Sequence, residues 1–185
     1  MRRNVAAVFF TLVLSAGLAN AQIPTGGNVF FGYSYYNTNL SSVDRANLNG
    51  WEGSLEGKVV SWVGIVADLS GHYGSQNFPT ICPAIAGPCP AVHLKVNEHN
   101  ALFGPRVSVS VGKIRPFAEV LIGVGHVSAH SAGSDTSFAT GVGGGLDYHL
   151  FPLLAWRVEG DYVTTRFFSA TQNNLQLSTG IVFRF

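Results

Sequence analysis

Apolar and polar residues alternate along most of the chain beyond residue 28. In the final segment, every second residue from Leu175 to Phe185 is apolar or threonine, and the residues between are mostly polar or small. Side chains alternate between the two faces of a β-strand, so this segment is predicted to be a strand long enough to cross a membrane. Seven further segments resemble strands. The eight predicted strands are Val29–Asn37, Gly50–Val60, Val63–Tyr73, Asn100–Val111, Pro116–Val127, Phe138–His149, Ala155–Phe167 and Asn174–Phe185.

The connections between these segments alternate in length. Those after the second, fourth and sixth segments are short, and the others are mostly longer. In chain order they span residues 38–49, 61–62, 74–99, 112–115, 128–137, 150–154 and 168–173. Outer-membrane barrels have tight periplasmic turns and longer external loops. The pattern therefore predicts an all-β fold: an eight-stranded antiparallel up-and-down transmembrane β-barrel.

Most charged residues fall on the faces predicted to line the barrel interior. An eight-stranded barrel is only wide enough for its interior side chains to fill it, and isolated buried charges are very costly. We therefore expect a filled lumen in which opposite charges pair. The predicted interior charges are Glu52, Glu56, Lys58, Asp68, Arg106, Glu119, Asp147, Arg157, Glu159, Asp161 and Arg184.

Aromatic residues near the strand ends have the character of membrane-interface residues. Tyrosine and tryptophan concentrate at the two interfaces of a bilayer, where an amphipathic ring is well solvated. The residues predicted to form these girdles are Tyr35, Tyr36, Trp51, Trp62, Tyr73, Phe117, Tyr148, Phe151, Trp156 and Phe167.

The N-terminal segment has the features of a secretory signal peptide. Arg2 and Arg3 precede an apolar stretch, and Ala19-Asn20-Ala21 is a small-x-small cleavage site. We therefore expect residues 1–21 to be removed and residues 22–185 to form one barrel domain. Charged residues make up 11% of the chain and the net charge is +1. With no basic cluster, a nucleic-acid partner is not expected.

Several short motifs give the chain a resemblance to a known family. The motifs are Gly32-Tyr33-Ser34-Tyr35, Gly104-Pro105-Arg106, Arg115-Pro116-Phe117-Ala118, Gly143-Gly144-Gly145-Leu146-Asp147 and Thr179-Gly180-Ile181-Val182-Phe183-Arg184-Phe185. Their order and the terminal phenylalanine resemble the small eight-stranded outer-membrane β-barrel family, which includes the OmpA transmembrane domain and OmpX. The resemblance extends over residues 28–185.

This resemblance carries expectations about partners. It implies that the outer-membrane assembly machinery recognises the final aromatic residues, Phe183 and Phe185. We also expect a monomer surrounded by outer-membrane lipid and lipopolysaccharide. The chain departs from OmpA because no peptidoglycan-binding domain follows the barrel, so cell-wall anchoring is not expected. No cofactor is predicted, and the sequence identifies no surface partner.

Two groups of residues in or beside the predicted loops suggest specific chemistry. Cys82 and Cys89 form an even pair in an exported chain, which predicts a disulfide. His126 and Ser128 lie two apart, on one outward face near the rim. This is the spacing of the His–Ser pair in barrel enzymes that deacylate lipid A, although no acidic partner is identifiable.

No metal site is predicted from the sequence. His93 and His99 flank Glu98 in the longest loop, but no further ligand clusters with them.

The sequence favours a structural or surface-interaction role in the outer membrane, such as envelope integrity, adhesion or shielding through external loops. Three alternatives remain at this stage: a small solute pore, a lipid A hydrolase that depends on His126 and Ser128, and a secreted lipocalin-like barrel. The lipocalin-like barrel would reverse the pattern, with apolar residues inside and charges outside.

Overall fold

A computed structural model describes residues 26–39, 45–78, 92–129 and 133–185. Eight antiparallel strands form a closed barrel in which each strand pairs with its neighbours in chain order. The strands are β1 (Gly27–Thr38), β2 (Ala46–Val60), β3 (Val63–Phe78), β4 (Val92–Ser108), β5 (Ile114–Ala129), β6 (Gly133–Phe151), β7 (Leu154–Thr165) and β8 (Gln172–Arg184). A short 3-10 helix, Phe167–Ser169, precedes β8. Within the described ranges, no helix is long and apolar enough to cross a membrane.

The barrel closes along the seam between β1 and β8. Asn28 lies opposite Arg184 and Ser34 opposite Ser178 in an uninterrupted antiparallel register. At the end of the seam, Gly27 and Phe185 exchange backbone hydrogen bonds of 2.9 and 3.1 Å. The predicted fold class is therefore confirmed.

The outer surface carries an apolar band. The stretch from Leu175 to Phe183 in β8, and that from Ile114 to Val124 in β5, match the ~9–11 residues that a tilted strand needs to cross a bilayer. Beyond these stretches the next outward residues are Asn173 and His126, and the other strands change from apolar to polar at the same level. Because large apolar side chains point outward and charges point inward, the lipocalin-like arrangement is wrong.

Strands β3 to β6 continue past the apolar band on the external side. They contain 16, 17, 16 and 19 residues, whereas β1, β7 and β8 contain 12, 12 and 13. The β3–β4 hairpin extends furthest, with Phe78 still paired to Val92. We call the parts of β3–β6 beyond Tyr73, His99, Val124 and Phe138 the external wall.

The external wall corrects several predicted boundaries. Pairing continues to Phe78 in β3 and begins at Val92 in β4, so much of the predicted 74–99 connection is strand. Strand β5 ends at Ala129 and β6 begins at Gly133, so the predicted long connection at 128–137 is wrong. At the other end, β4 stops at Ser108 rather than Val111, because Val111 bridges to Ile114 within the turn.

Three residues assigned to the aromatic girdles instead point into the barrel. Tyr36, Phe117 and Phe167 are buried in the interior, whereas Trp62, Tyr73 and Trp156 are exposed on the outer surface as predicted. Aromatic character near a strand end does not report which face a residue occupies. Alternation does report it, and it places Phe117 with Glu119 rather than with the outward residues.

Candidate functional site in the barrel lumen

The lumen is lined by charged and polar side chains, as the alternation predicts. Among the described residues, eight acidic side chains are buried against three arginines, and two further cations, Lys58 and Arg184, are partly exposed near the periplasmic mouth. The buried acids are Glu52, Glu56, Asp68, Glu98, Glu119, Asp147, Glu159 and Asp161. The buried arginines are Arg106, Arg115 and Arg157. Acidic side chains therefore outnumber cationic ones inside the barrel.

The layer nearest the periplasmic side is organised around Glu56. Its carboxylate accepts hydrogen bonds from Arg115 at 3.0 Å and from Asn28 at 2.6 Å. Lys58 Nζ lies 2.6 Å from the same carboxylate and also donates to Ser108 at 2.6 Å. A charged group so deeply buried needs several such partners to offset its lost hydration.

A second pair in this layer joins Arg157 to Asp147. Arg157 donates through Nε at 2.7 Å and through Nη2 at 3.1 Å, which is a bidentate arrangement. The inward ring of Phe117 is in cation–π contact with two guanidinium groups, 4.2 Å from Arg106 and 4.6 Å from Arg157. The electron-rich ring attracts both cations.

Arg106 connects this layer to the centre of the lumen. Its Nη2 donates to Glu159 at 2.9 Å, its Nε donates to Glu119, and its Nη1 lies 3.7 Å from Glu56. These carboxylates come from β7, β5 and β2, so one side chain joins three walls of the barrel.

The central layer contains carboxylates that the arginines do not fully balance. Glu52 accepts hydrogen bonds from Gln176 at 2.6 Å and from Ser178. Asp68 and Asp161 have no cation within 4.0 Å among the described residues. The buried oxygens Glu52 Oε1, Glu159 Oε2 and Asp161 Oδ1 have no hydrogen-bond donor in the same part of the chain.

Apolar side chains close the external end of the lumen. We call this cluster the external cap. Its members are Tyr36, Ala46, Leu48, Val96, Val127, Ala129, Val163 and Phe167. Tyr36 Oη donates to Glu98 at 2.8 Å, and the Tyr36 ring stacks on His72 at 4.4 Å. The cap therefore rests on a small polar layer above the central carboxylates.

The periplasmic mouth is open by comparison. A cavity of about 360 Å³ lies among the periplasmic turns and strand ends, and Lys58, Arg115 and Arg184 contribute cationic groups to its lining. Arg184 points inward, as predicted, and contacts the ring of His149. The lumen is therefore basic at its mouth, acidic at its centre and apolar at its external end.

The other predicted site residues lie outside the lumen or outside the described part of the chain. His126 and Ser128 do share the outward face, but His126 Nδ1 forms its hydrogen bond with Thr136 Oγ1 at 2.7 Å rather than with Ser128. Phe183 and Phe185 are exposed at the seam end of the barrel, and their role in assembly stays a prediction. Cys82 and Cys89, with the signal peptide, lie outside the described residues.

Three titratable residues of the interior are absent from the sequence-based prediction. The pattern of apolar runs predicts Arg115 in a turn and Glu98 in a loop, and it does not assign His72 to the lumen. Alternation continued past the apolar runs would have found them, because Arg115 shares the parity of Glu119 and His72 that of Asp68. The same rule separates Glu98, which points inward, from His99, which is exposed.

Comparison with known proteins identifies the fold. No protein-family model matches this sequence, and no curated protein matches it significantly. The crystal structure of neisserial surface protein A (NspA) matches with a TM-score of 0.67 at 14% identity, covering 86% of this chain and 97% of NspA. OprG from Pseudomonas aeruginosa matches with a TM-score of 0.59 at 7% identity, covering 88% and 97%.

A third similar structure is Ail, the attachment invasion locus protein of Yersinia pestis. It matches with a TM-score of 0.56 at 14% identity, covering 86% of this chain and 98% of Ail. At these identities the similarity is one of fold. The chain has the fold of the small eight-stranded outer-membrane β-barrels, as its motifs suggested.

Proposed function

We propose that this chain is an integral outer-membrane protein with a structural or surface-interaction role, in which the barrel holds the external wall and its connections above the lipid. The observation that carries the proposal is the contrast between a filled, capped lumen and a wall that continues past the apolar band. Strands of ~9–11 residues are enough to cross a bilayer, whereas β6 has 19.

The lumen supports this role better than transport. Arg106 and Arg157 occupy its width together with Phe117, and the external cap covers the opposite end. A solute pore would require these side chains to move apart. The outward pair His126 and Ser128 supports hydrolysis poorly, since the imidazole is engaged by Thr136.

Outer-membrane lipid and lipopolysaccharide are the proposed surroundings of the apolar band. Tyr33, Tyr35 and Trp51 lie at its external edge, where Tyr35 Oη donates to Asn47 at 2.7 Å. An aromatic ring with a polar group beyond it suits the boundary between acyl chains and headgroups. Export by a signal peptide remains part of this proposal.

The wall allows a direct test. Because Phe78 lies opposite Val92, a two-residue Asn-Gly turn can replace residues 79–91 without changing the strand register. We expect both this variant and the unaltered chain to reach the outer membrane and to migrate differently before and after boiling in SDS. We expect the variant to lose the surface activity of the parent. That activity is measured as attachment of the bacteria to cells, or as shielding of the bacterial surface from binding by an externally added antibody.

The matched control replaces the periplasmic turn Ser61-Trp62 with Asn-Gly, which leaves every external residue unchanged. It should retain both the gel shift and the phenotype. If the 79–91 replacement keeps the full phenotype, this connection is not the interacting element. If the unaltered chain is soluble and shows no gel shift, the membrane proposal itself is wrong.

A further inference from the structure

The central carboxylates meet because a glycine lies between two of them. Glu119 in β5 is opposite Gly143 in β6, and Gly143 is opposite Asp161 in β7. With no side chain on the middle strand, the two acids approach each other across it. A Cβ atom on Gly143 would lie 1.8 Å from Asp161 Oδ1, so the carboxylate occupies the space that a side chain would need.

Glu159 completes a group of three. One carboxylate oxygen from each of Glu119, Glu159 and Asp161 lies within 4.8 Å of the other two, and all three residues are buried. Calcium binds oxygen ligands at about 2.3–2.6 Å, so two ligands on opposite sides of one ion are about 5 Å apart. All three oxygens can therefore contact a single ion.

Buried oxygen atoms outside this group also lack hydrogen-bond partners. Glu52 Oε1 is buried without a hydrogen-bond donor, and Glu52 is 1% exposed. The hydroxyl oxygens of Ser54 and Ser70 are also unpartnered within the described ranges, and each residue is 3% exposed. The strand register places Ser70 opposite Glu52 and Ser54 opposite Asp68, all facing the lumen. Unused oxygen ligands therefore face the interior from β2 and β3 as well.

The charge balance explains why an ion would be stabilised there. Arg106 is shared by Glu119, Glu159 and Glu56, and Arg157 Nη1 lies 3.6 Å from Glu159 Oε2. No cation lies within 4.0 Å of Asp161 in the described part of the chain. A buried carboxylate without a counter-charge is very costly. A bound cation offsets this cost and supplies a partner for Asp161 Oδ1, which has no hydrogen-bond donor among the described residues.

We propose that the centre of the lumen binds one oxygen-ligated divalent cation, with Glu119, Glu159 and Asp161 as its protein ligands. Calcium fits better than magnesium. It accepts irregular sets of carboxylate ligands, whereas magnesium requires near-ideal octahedral geometry and usually retains several waters. The sequence did not predict this site, because its ligands come together only through the strand register.

The position of the site predicts how the ion enters. The external cap lies above it, and the layer of Arg106, Phe117 and Arg157 lies below it. The ion is therefore captured as the barrel closes and exchanges slowly afterwards. This separates the site from weak binding at the surface, where a chelator would remove the ion at once.

The test uses the full mature chain, refolded from denaturant into detergent micelles with calcium, with magnesium or with a chelator. After passage over chelating resin, folded protein is identified by its gel shift and its metal content is measured by mass spectrometry. We expect about one calcium per chain after refolding in calcium, and release only on unfolding. We also expect the thermal midpoint of the gel shift to be higher for the calcium-refolded protein.

Asp161→Asn is the test variant, because it removes the charge with little change in shape. We expect its calcium content to fall at least about tenfold. Glu98→Gln is the matched control, since Glu98 is an equally buried acid beside the external cap. It should retain the ion.

If the folded, unaltered chain retains no calcium and its midpoint does not depend on calcium, the proposal is wrong and protons balance the excess carboxylates. Equal calcium contents in Asp161→Asn and the parent would also overturn the ligand assignment. Should Asp161→Asn fail to fold, the metal content of the unaltered chain still decides.

Discussion

Arg106 is the residue on which most of the interior electrostatics depends. It contacts Glu119, Glu159 and Glu56, and it also lies over the ring of Phe117. Removing one member of a buried ion pair leaves the remaining charges without compensation, which is more damaging than removing the whole pair.

We therefore expect Arg106→Met to lower the free energy of unfolding by about 3–5 kcal/mol. Urea unfolding in lipid vesicles, followed by tryptophan fluorescence, measures this change. Lys113→Gln in an exposed periplasmic turn is the control and should stay within about 0.5 kcal/mol of the parent. A loss below about 1 kcal/mol in Arg106→Met would show that the interior charges are compensated in another way.

At the residue scale, the sequence shows which face of a strand each side chain occupies. It does not show which side chains from different strands meet. Strict alternation is enough to place Glu56, Asp68 and Arg157 on the inward faces of their strands, and all three side chains are buried. It cannot show that Glu119 and Asp161 meet over Gly143, because that contact depends on the relative register of three strands. Residue type alone is a weaker guide, as the inward rings of Tyr36 and Phe117 demonstrate.

Each of the strands β3 to β6 has one segment in the apolar band and a second segment in the external wall. In β6, Val142 lies in the apolar band, whereas Ser134 lies in the external wall, and both side chains point outward. Hydrophobic periodicity detects only the first kind of segment. This is why the predicted strands end close to the band and miss the extensions of β3 to β6.

The same contrast gives a prediction for single elements. Arginine on the lipid face costs about 2–4 kcal/mol at the bilayer midplane and about 0–1 kcal/mol near the interface. We expect Val142→Arg to show the larger loss and Ser134→Arg the smaller one, in unfolding titrations from lipid vesicles. Equal losses would mean that the apolar band does not mark the membrane.

For the whole molecule, the filled lumen predicts electrical silence. We expect the refolded chain to give no steady conductance in planar bilayers, because buried apolar side chains at the external end and paired arginines further in occupy the lumen among the described residues. A general porin inserted in the same bilayers serves as the positive control. Reproducible conductance steps from protein with the expected gel shift would instead support the solute-pore alternative.

The wide spacing of the interior partners along the chain also governs how the barrel can be made. Glu52 receives its hydrogen bonds from Gln176 and Ser178, which lie 124 and 126 positions further on, and Arg106 reaches Glu159 across 53 positions. A nascent chain that lacks β8 has Glu52 but neither of these donors. Until β8 pairs with β1, water must therefore hydrate Glu52, and closure of this seam replaces that water with side-chain donors.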